Sequence, residues 1–161
     1  MENYTLNHAL ETAVMAEDLG IKYYSEMAKR FSHNDDLKNM FQLLAKDEVE
    51  HKKQFTELLK SVPQKNPTQF ATEFQFLQAV DLSKFFKDME NVKDEYKIEE
   101  VLQGAFNFEK ESVLFYIGIR DLFGEHPLLD EIINLEKNHM TKLMKYIVTG
   151  SEFRGISDKE V

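Results

Sequence analysis

One pattern of acidic, aromatic and histidine residues occurs twice in this chain, and it constrains the fold more than any other feature. In each copy a glutamate is followed seven residues later by a tyrosine, and the next helical segment carries a Glu-x-x-His pair. The two copies consist of Glu17, Tyr24, Glu48 and His51 in the first half, and Glu109, Tyr116, Glu136 and His139 in the second. This repeat predicts two similar helical hairpins related by a pseudo-two-fold axis.

Each of these residues lies on a stripe of otherwise apolar positions. The stripe of the second segment runs through Leu37, Phe41, Leu44, Glu48, His51, Phe55 and Leu58. Alternating steps of three and four residues are the seam spacing of helices that pack in a bundle, so side chains on the seam face the partner helices. We therefore expect four carboxylates and two imidazoles to converge inside a helical bundle.

Buried carboxylates in this number need positive charge between them. An ionised carboxylate that leaves water without a partner is strongly destabilising, and crowded carboxylates raise one another's pKa. Four carboxylates balance the charge of two divalent cations, and neutral histidines add nitrogen ligands without adding charge. We therefore expect a pair of metal ions, and any catalysis, at Glu17, Glu48, His51, Glu109, Glu136 and His139.

Four long periodic segments, about 7–32, 35–61, 97–123 and 128–149, predict an all-α fold. Short connections make each pair antiparallel, whereas the long link 62–96 allows an up-down-down-up bundle with one crossover. We expect residues 1–150 to form this domain and residues 151–161 to form a flexible polar tail. The apolar link predicts a short crossover helix, which either covers the core or forms a homodimer interface.

The composition restricts the classes of function. The chain has no cysteine, which excludes disulfides, thiolate catalysis and a rubredoxin-type iron centre within it. Its formal net charge of −9 argues against nucleic acid or an anionic membrane surface as a partner. The sequence shows no apolar run long enough to cross a bilayer and no targeting motif, so we expect a cytoplasmic protein.

The paired pattern resembles the ferritin-like di-iron carboxylate superfamily, in which two helices each supply a glutamate and two others each supply Glu-x-x-His. The Asp-Glu-Val-Glu-His run at 47–51, the aromatic link and the Glu-Lys-Glu-Ser run at 109–112 are most similar to its rubrerythrin-related branch. The resemblance implies a ferritin-like four-helix bundle that binds two metal ions. The implied ligands are Glu48 and Glu136 as bridges, Glu17 and His51 for one metal, and Glu109 and His139 for the other.

Three further residues are candidates for hydrogen bonds to the ligands, namely Tyr24, Tyr116 and Asp47. Each tyrosine lies two helical turns from a candidate glutamate, where its phenol can reach a carboxylate on another helix, although ordinary core aromatics would occupy the same positions. Asp47 can accept the proton of the far nitrogen of a ligating histidine, or it can be a solvent-facing charge. Leu135 occupies the matching position in the second half and breaks the repeat.

Iron is the expected metal, with manganese or a mixed pair as alternatives, because carboxylate-rich sites with two imidazoles suit these ions better than zinc. The resemblance implies an oxidoreductase that reacts with hydrogen peroxide or dioxygen and takes electrons from an external donor such as a rubredoxin-like protein. A ferroxidase that handles iron, or a metal-binding protein without redox turnover, would have the same ligands. Peroxidase rubrerythrins carry an additional glutamate where this chain has Ser112, and the first-half counterpart is Gly20. The remaining six-ligand set is closer to that of bacterioferritin.

Overall fold

The computed structural model describes residues 3–150, which form six α-helices and no β-strand. The helices are α1 Leu6–Arg30, α2 Asp35–Leu58, α3 Ala71–Ala79, α4 Phe86–Glu90, α5 Ile98–Phe123 and α6 Pro127–Thr149. Short 3₁₀ turns extend α2 over Leu59–Ser61 and join α3 to α4 over Leu82–Phe85. The predicted tail, residues 151–161, lies outside the described residues.

The four long helices form two hairpins, α1 with α2 and α5 with α6, as the short connections predicted. The local sequence determines where these helices begin and end. Asn34 accepts a hydrogen bond from the backbone N–H of Leu37 at 3.2 Å and so caps α2, while Pro127 occupies the first turn of α6. Gly124 and Gly150 end α5 and α6 at φ values of 98° and 73°, in the left-handed region that favours glycine.

The crossover contains two short helices, where the sequence predicted one. It packs on the bundle through α3 against α5 and through α4 against α1, with Phe74, Leu77 and Leu82 buried. Gly118 on α5 permits this contact, because a β-carbon there would lie 2.8 Å from Cδ2 of Leu77. The crossover therefore covers the core, and the up-down-down-up four-helix bundle predicted from the sequence is confirmed.

The apolar core consists of two clusters separated by a polar layer halfway along the bundle. On α1 one cluster ends at Ala16 and the other begins at Tyr23. On α2 the two clusters are separated by the interval between Leu44 and Phe55. Both intervals contain candidate ligands. Among the described helices, none is both long and apolar enough to span a membrane.

Candidate metal centre

The six candidate ligands lie together in the polar layer, one glutamate each from α1 and α5 and one Glu-x-x-His pair each from α2 and α6. All six are at most 1% exposed. Their donor atoms form two groups, each within 4.8 Å, composed of Glu17, Glu48, His51 and Glu136, and of Glu48, Glu109, Glu136 and His139. Glu48 and Glu136 belong to both groups, which is the geometry of two adjacent cation positions with shared carboxylates.

Both histidines turn Nδ1 toward the carboxylates. Nδ1 of His51 lies 2.8 Å from Oε1 of Glu136 and 3.7 Å from Oε2 of Glu17. Nδ1 of His139 lies 3.4 Å from Oε1 of Glu48 and 3.5 Å from Oε1 of Glu109. The two imidazole rings stack with their centroids 5.8 Å apart. Both histidines thus present the same nitrogen to the interior of the centre.

Two tyrosines hold carboxylates of the opposite half. The phenol of Tyr24 donates to Oε1 of Glu109 at 2.6 Å, and that of Tyr116 donates to Oε1 of Glu17 at 2.6 Å. Burial and the adjacent carboxylate raise the pKa of both phenols, so each remains a protonated donor. Hydrogen bonds of this length to a charged acceptor fix the orientation of the carboxylate strongly.

Asp47 contacts one of the two histidines. Its Oδ2 lies 2.9 Å from Nε2 of His139, on the side of the ring away from the carboxylates. Burial raises the pKa of Asp47, but the hydrogen bond and charge of His139 outweigh this effect and lower it. Within residues 3–150, Nε2 of His51 is buried and has no hydrogen-bond partner. The repeat is therefore broken on the outer side of the imidazoles.

The donor atoms fit a bound cation because several of them have no protein partner. Within the described residues, the buried atoms without a hydrogen bond include Oε2 of Glu17, Oε1 of Glu48, Oε2 of Glu109, Oε2 of Glu136 and Nδ1 of His139. Buried polar atoms normally have partners, so four carboxylate oxygens and an imidazole nitrogen left over at one place indicate a missing positive group. Two divalent ions would satisfy these atoms.

Without metal, protons balance the charge of this cluster. Burial opposes ionisation of both imidazoles, but hydrogen bonds that His51 donates to the carboxylates of Glu136 and Glu17 raise its pKa to about 10. Glu109 and Asp47 likewise raise the pKa of His139 to about 12. Burial and the charges of Glu109 and Glu17 raise the pKa of Glu136 to about 8. Protons therefore occupy, in the metal-free centre, the positions that cations would take.

Small residues lie beside the carboxylates. A β-carbon on Gly20 would be 3.3 Å from Oε2 of Glu48, so a side chain there would shift this carboxylate by a few tenths of an ångström. Ser112 is 1% exposed, and its hydroxyl donates to the backbone carbonyl of Phe108 at 2.8 Å. The structure therefore shows no seventh carboxylate at either position.

Sequence reasoning did not identify Gln54. This residue is 8% exposed, and its Oε1 has no hydrogen-bond partner within residues 3–150. Its position three residues after His51, next to the stripe residue Phe55, was the available signal. The remaining histidines lie at helix ends or in a turn. His8 and His126 accept backbone hydrogen bonds at the starts of α1 and α6, and His33 is exposed in a turn.

Comparison with known proteins places this geometry in a family. The family model described as Rubrerythrin matches residues 8–147, so the chain belongs to the rubrerythrin family. A crystal structure of a Thermotoga maritima protein, named as a ferritin-like diiron-carboxylate protein, superposes with a TM-score of 0.69. It is 21% identical, and the match covers 94% of this chain and 99% of that one. This likeness shows the fold. The chain matches none of the curated proteins with which it was compared.

Proposed function

We propose that the centre binds two iron ions and that the protein is an oxidoreductase that reduces hydrogen peroxide or dioxygen with electrons from an external donor. The observation that carries this proposal is the pair of donor groups that share Glu48 and Glu136, each offering three carboxylates and one imidazole. Two adjacent metals between shared carboxylates can act together on one small substrate. The membership in the rubrerythrin family supports the same assignment.

The chemistry of the donors favours iron. Zinc sites in proteins usually contain more nitrogen or thiolate ligands, whereas oxygen-rich sites with a few imidazoles suit iron and manganese. Each ferrous ion supplies one electron, so a pair supplies the two electrons that convert hydrogen peroxide, with two protons, into two molecules of water. Manganese would satisfy the same donors, and elemental analysis of protein purified from its own host distinguishes the two.

The protein's part in this reaction is to orient the donors and to exclude bulk water. Tyr24 and Tyr116 hold the two terminal carboxylates, and Asp47 holds His139. The burial of all six candidate ligands lowers the local dielectric, which strengthens every electrostatic contact inside the centre. Gly20 lets α1 lie close against Glu48, because a β-carbon there would be 3.3 Å from Oε2 of this carboxylate.

Reoxidation kinetics test the proposal. Stopped-flow mixing of the anaerobic di-ferrous protein with hydrogen peroxide or dioxygen should show oxidation faster than that of free ferrous ion under the same conditions. Glu48→Ala and Glu136→Ala remove a shared carboxylate and should abolish binding of the metal pair. Glu50→Ala is the matched control, because Glu50 lies on the exposed face of the same helix and should leave both binding and rate unchanged. Oxidation no faster than that of free ferrous ion would refute the proposal.

A ferroxidase is the second candidate, and the observation that favours it is the absence of a carboxylate at Ser112, where the hydroxyl instead contacts the helix backbone. A ferroxidase should oxidise many equivalents of added ferrous ion per chain and release or store the product. An oxidoreductase that keeps its metals should stop after one turnover until a reductant is supplied. Counting ferrous equivalents consumed per chain separates these functions.

A further inference from the structure

We propose that the two metal positions differ in affinity, and that the position beside His139 binds metal first because Asp47 acts as a positioning residue for His139 alone. This inference rests on the proposed pair of metal ions, but it does not depend on the redox reaction. It concerns the order in which the centre is loaded, which the shared carboxylates by themselves leave undetermined.

The pseudo-two-fold repeat cancels most other differences between the positions. Each donor group consists of three glutamates and one histidine, and both groups contain the same two shared carboxylates. The terminal carboxylates, Glu17 and Glu109, each accept a tyrosine hydroxyl at 2.6 Å. Both imidazoles are buried and present Nδ1 inward. On the outer side of the imidazoles, the repeat has Asp47 in one half and Leu135 in the other.

On the His139 side, the imidazole is already arranged for a metal. The contact of 2.9 Å with Asp47 gives the proton on Nε2 an acceptor, so Nδ1, which faces the carboxylates, is the nitrogen that can exchange its proton for a metal. In the described structure Nδ1 makes no hydrogen bond, and its nearest carboxylate oxygens lie 3.4 and 3.5 Å away, so an arriving cation need not replace a short contact. A carboxylate behind a ligating histidine fixes the ring and increases its basicity.

On the His51 side, the arrangement is reversed. Nδ1 is engaged by Oε1 of Glu136 at 2.8 Å, a distance at which one proton lies between the two atoms. Binding of a metal at Nδ1 must break this contact and leave the remaining proton on Nε2, which is buried and without an acceptor in residues 3–150. Leu135 holds the repeat position of Asp47 and has no acceptor group, and Nε2 of His51 makes no hydrogen bond with the residues that the structure describes.

Calorimetric titration of the full-length metal-free protein with Zn²⁺ tests the inequality. Zn²⁺ is redox-inert, so binding is measured without oxidation. We expect two ions per chain, with dissociation constants that differ by about 10–100-fold, the usual effect of such a hydrogen-bonded partner. At one equivalent of Zn²⁺, nitrogen-correlated NMR of the histidine rings should show changes at His139 before His51. Two equal binding steps, or prior filling at His51, would overturn the proposal.

Exchange of Asp47 and Leu135 between the two halves provides a more direct test. Leu135→Asp should tighten the weaker step, and the double variant Asp47→Leu/Leu135→Asp should make His51 the first to bind. A gain of affinity cannot result from general damage to the fold. Asp47→Asn, which keeps a hydrogen-bond acceptor but loses the charge, should weaken the first step less than Asp47→Ala does. If neither Leu135→Asp tightens the weak step nor Asp47→Ala weakens the strong one, Asp47 has no positioning role.

The outcomes also separate this inference from the proposed function. Failure to bind two ions per chain would remove both proposals together. Two ions bound with equal affinity would overturn only the inference. Two unequal ions in a protein whose di-ferrous form does not react with peroxide or dioxygen would overturn only the oxidoreductase.

Discussion

At the scale of single residues, the hydrogen bonds from Tyr24 and Tyr116 to glutamates of the opposite half can each be removed by a single substitution that keeps the aromatic ring. Tyr24→Phe removes the phenol that donates to Glu109 and leaves one more carboxylate oxygen unpaired. We expect metal affinity to fall by about 10-fold, and the free energy of unfolding of the metal-free protein to fall by about 1.5–3 kcal/mol, because the lost hydrogen bond has a charged acceptor. Metal titration and urea unfolding measure the two effects.

The neighbouring tyrosine provides the control for this substitution. Tyr23 is also buried, but its phenol donates to the backbone carbonyl of Val101 at 3.1 Å, away from the candidate ligands. Tyr23→Phe should cost about 1 kcal/mol of stability, as a neutral hydrogen bond does, and leave metal affinity unchanged. Equal losses of metal affinity in the two variants would show that the Tyr24 contact does not act on the centre.

Metal binding should release protons. The pKa values of the two candidate histidine ligands are raised, to about 10 for His51 and about 12 for His139, so both imidazoles are protonated at pH 7 in the metal-free protein. Their protonation stabilises the metal-free fold fully below the unfolded histidine pKa of about 6.5, and this contribution is lost as pH rises through about 10 and then about 12. A ligating nitrogen must give up its proton, so apparent metal affinity should increase with pH.

Calorimetry in two buffers with different ionisation enthalpies counts the released protons. At pH 7 we expect about one proton per histidine and a further contribution from Glu136, whose pKa is raised to about 8 by burial and by its neighbouring carboxylates. Binding without proton release, or affinity that falls as pH rises from 6 to 8, would contradict this account of the metal-free centre.

At the scale of elements, the close approach of α1 to α2 beside the centre depends on one glycine. Gly20→Ala should stabilise helix α1 by as much as about 1 kcal/mol through its higher helix propensity. The new β-carbon would nevertheless press on Glu48, at 3.3 Å from Oε2, and shift a shared carboxylate. We therefore expect weaker metal binding in a protein whose metal-free form is equally or more stable.

Gly104→Ala is the matched control on α5. The nearest atom to a β-carbon at that position is the phenol oxygen of Tyr23 at 3.9 Å, an ordinary contact distance. This variant should gain about the same helix propensity and leave metal affinity unchanged. Metal titration and thermal unfolding of both variants check the prediction, and an unchanged affinity in Gly20→Ala would contradict it.

The helices and the composition of the polar layer could be predicted because their signals are local. Seam spacing placed Glu48 and His51 on the inner face of α2, and Asn34, Pro127 and Gly150 marked helix ends. The division of the crossover into two helices could not be predicted, because α3 and α4 are short and are positioned by contacts with α5 and α1. Pairing across the bundle, such as Asp47 with His139, depends on the rotation of each helix about its axis, which the spacing does not fix.

At the scale of the whole molecule, the polar layer interrupts an otherwise continuous core. Four glutamates and two histidines occupy buried volume between the two apolar clusters. Bound cations would neutralise this layer and would bind the folded chain alone. At a free metal concentration 100 times the dissociation constant, we expect about 2.7 kcal/mol of stabilisation per ion.

Differential scanning calorimetry with and without a chelator measures this effect. For a chain of this size, each kcal/mol should raise the melting temperature by roughly 2–4 °C, so the loaded protein should melt several degrees higher. Glu50→Ala should show the same shift as the unaltered protein, and Glu136→Ala should lose it. Identical melting temperatures with and without metal would indicate that the cluster is not a metal centre.

Neither hairpin can complete a donor group alone, because each group takes three donors from one half and the fourth from the other. A peptide of half this length would need a second copy of itself to build the same centre, and identical copies would give two interchangeable positions. Joining the halves in one polypeptide removes that constraint. The two positions can then differ, and the residues that precede the shared carboxylates do differ, Asp47 before Glu48 and Leu135 before Glu136.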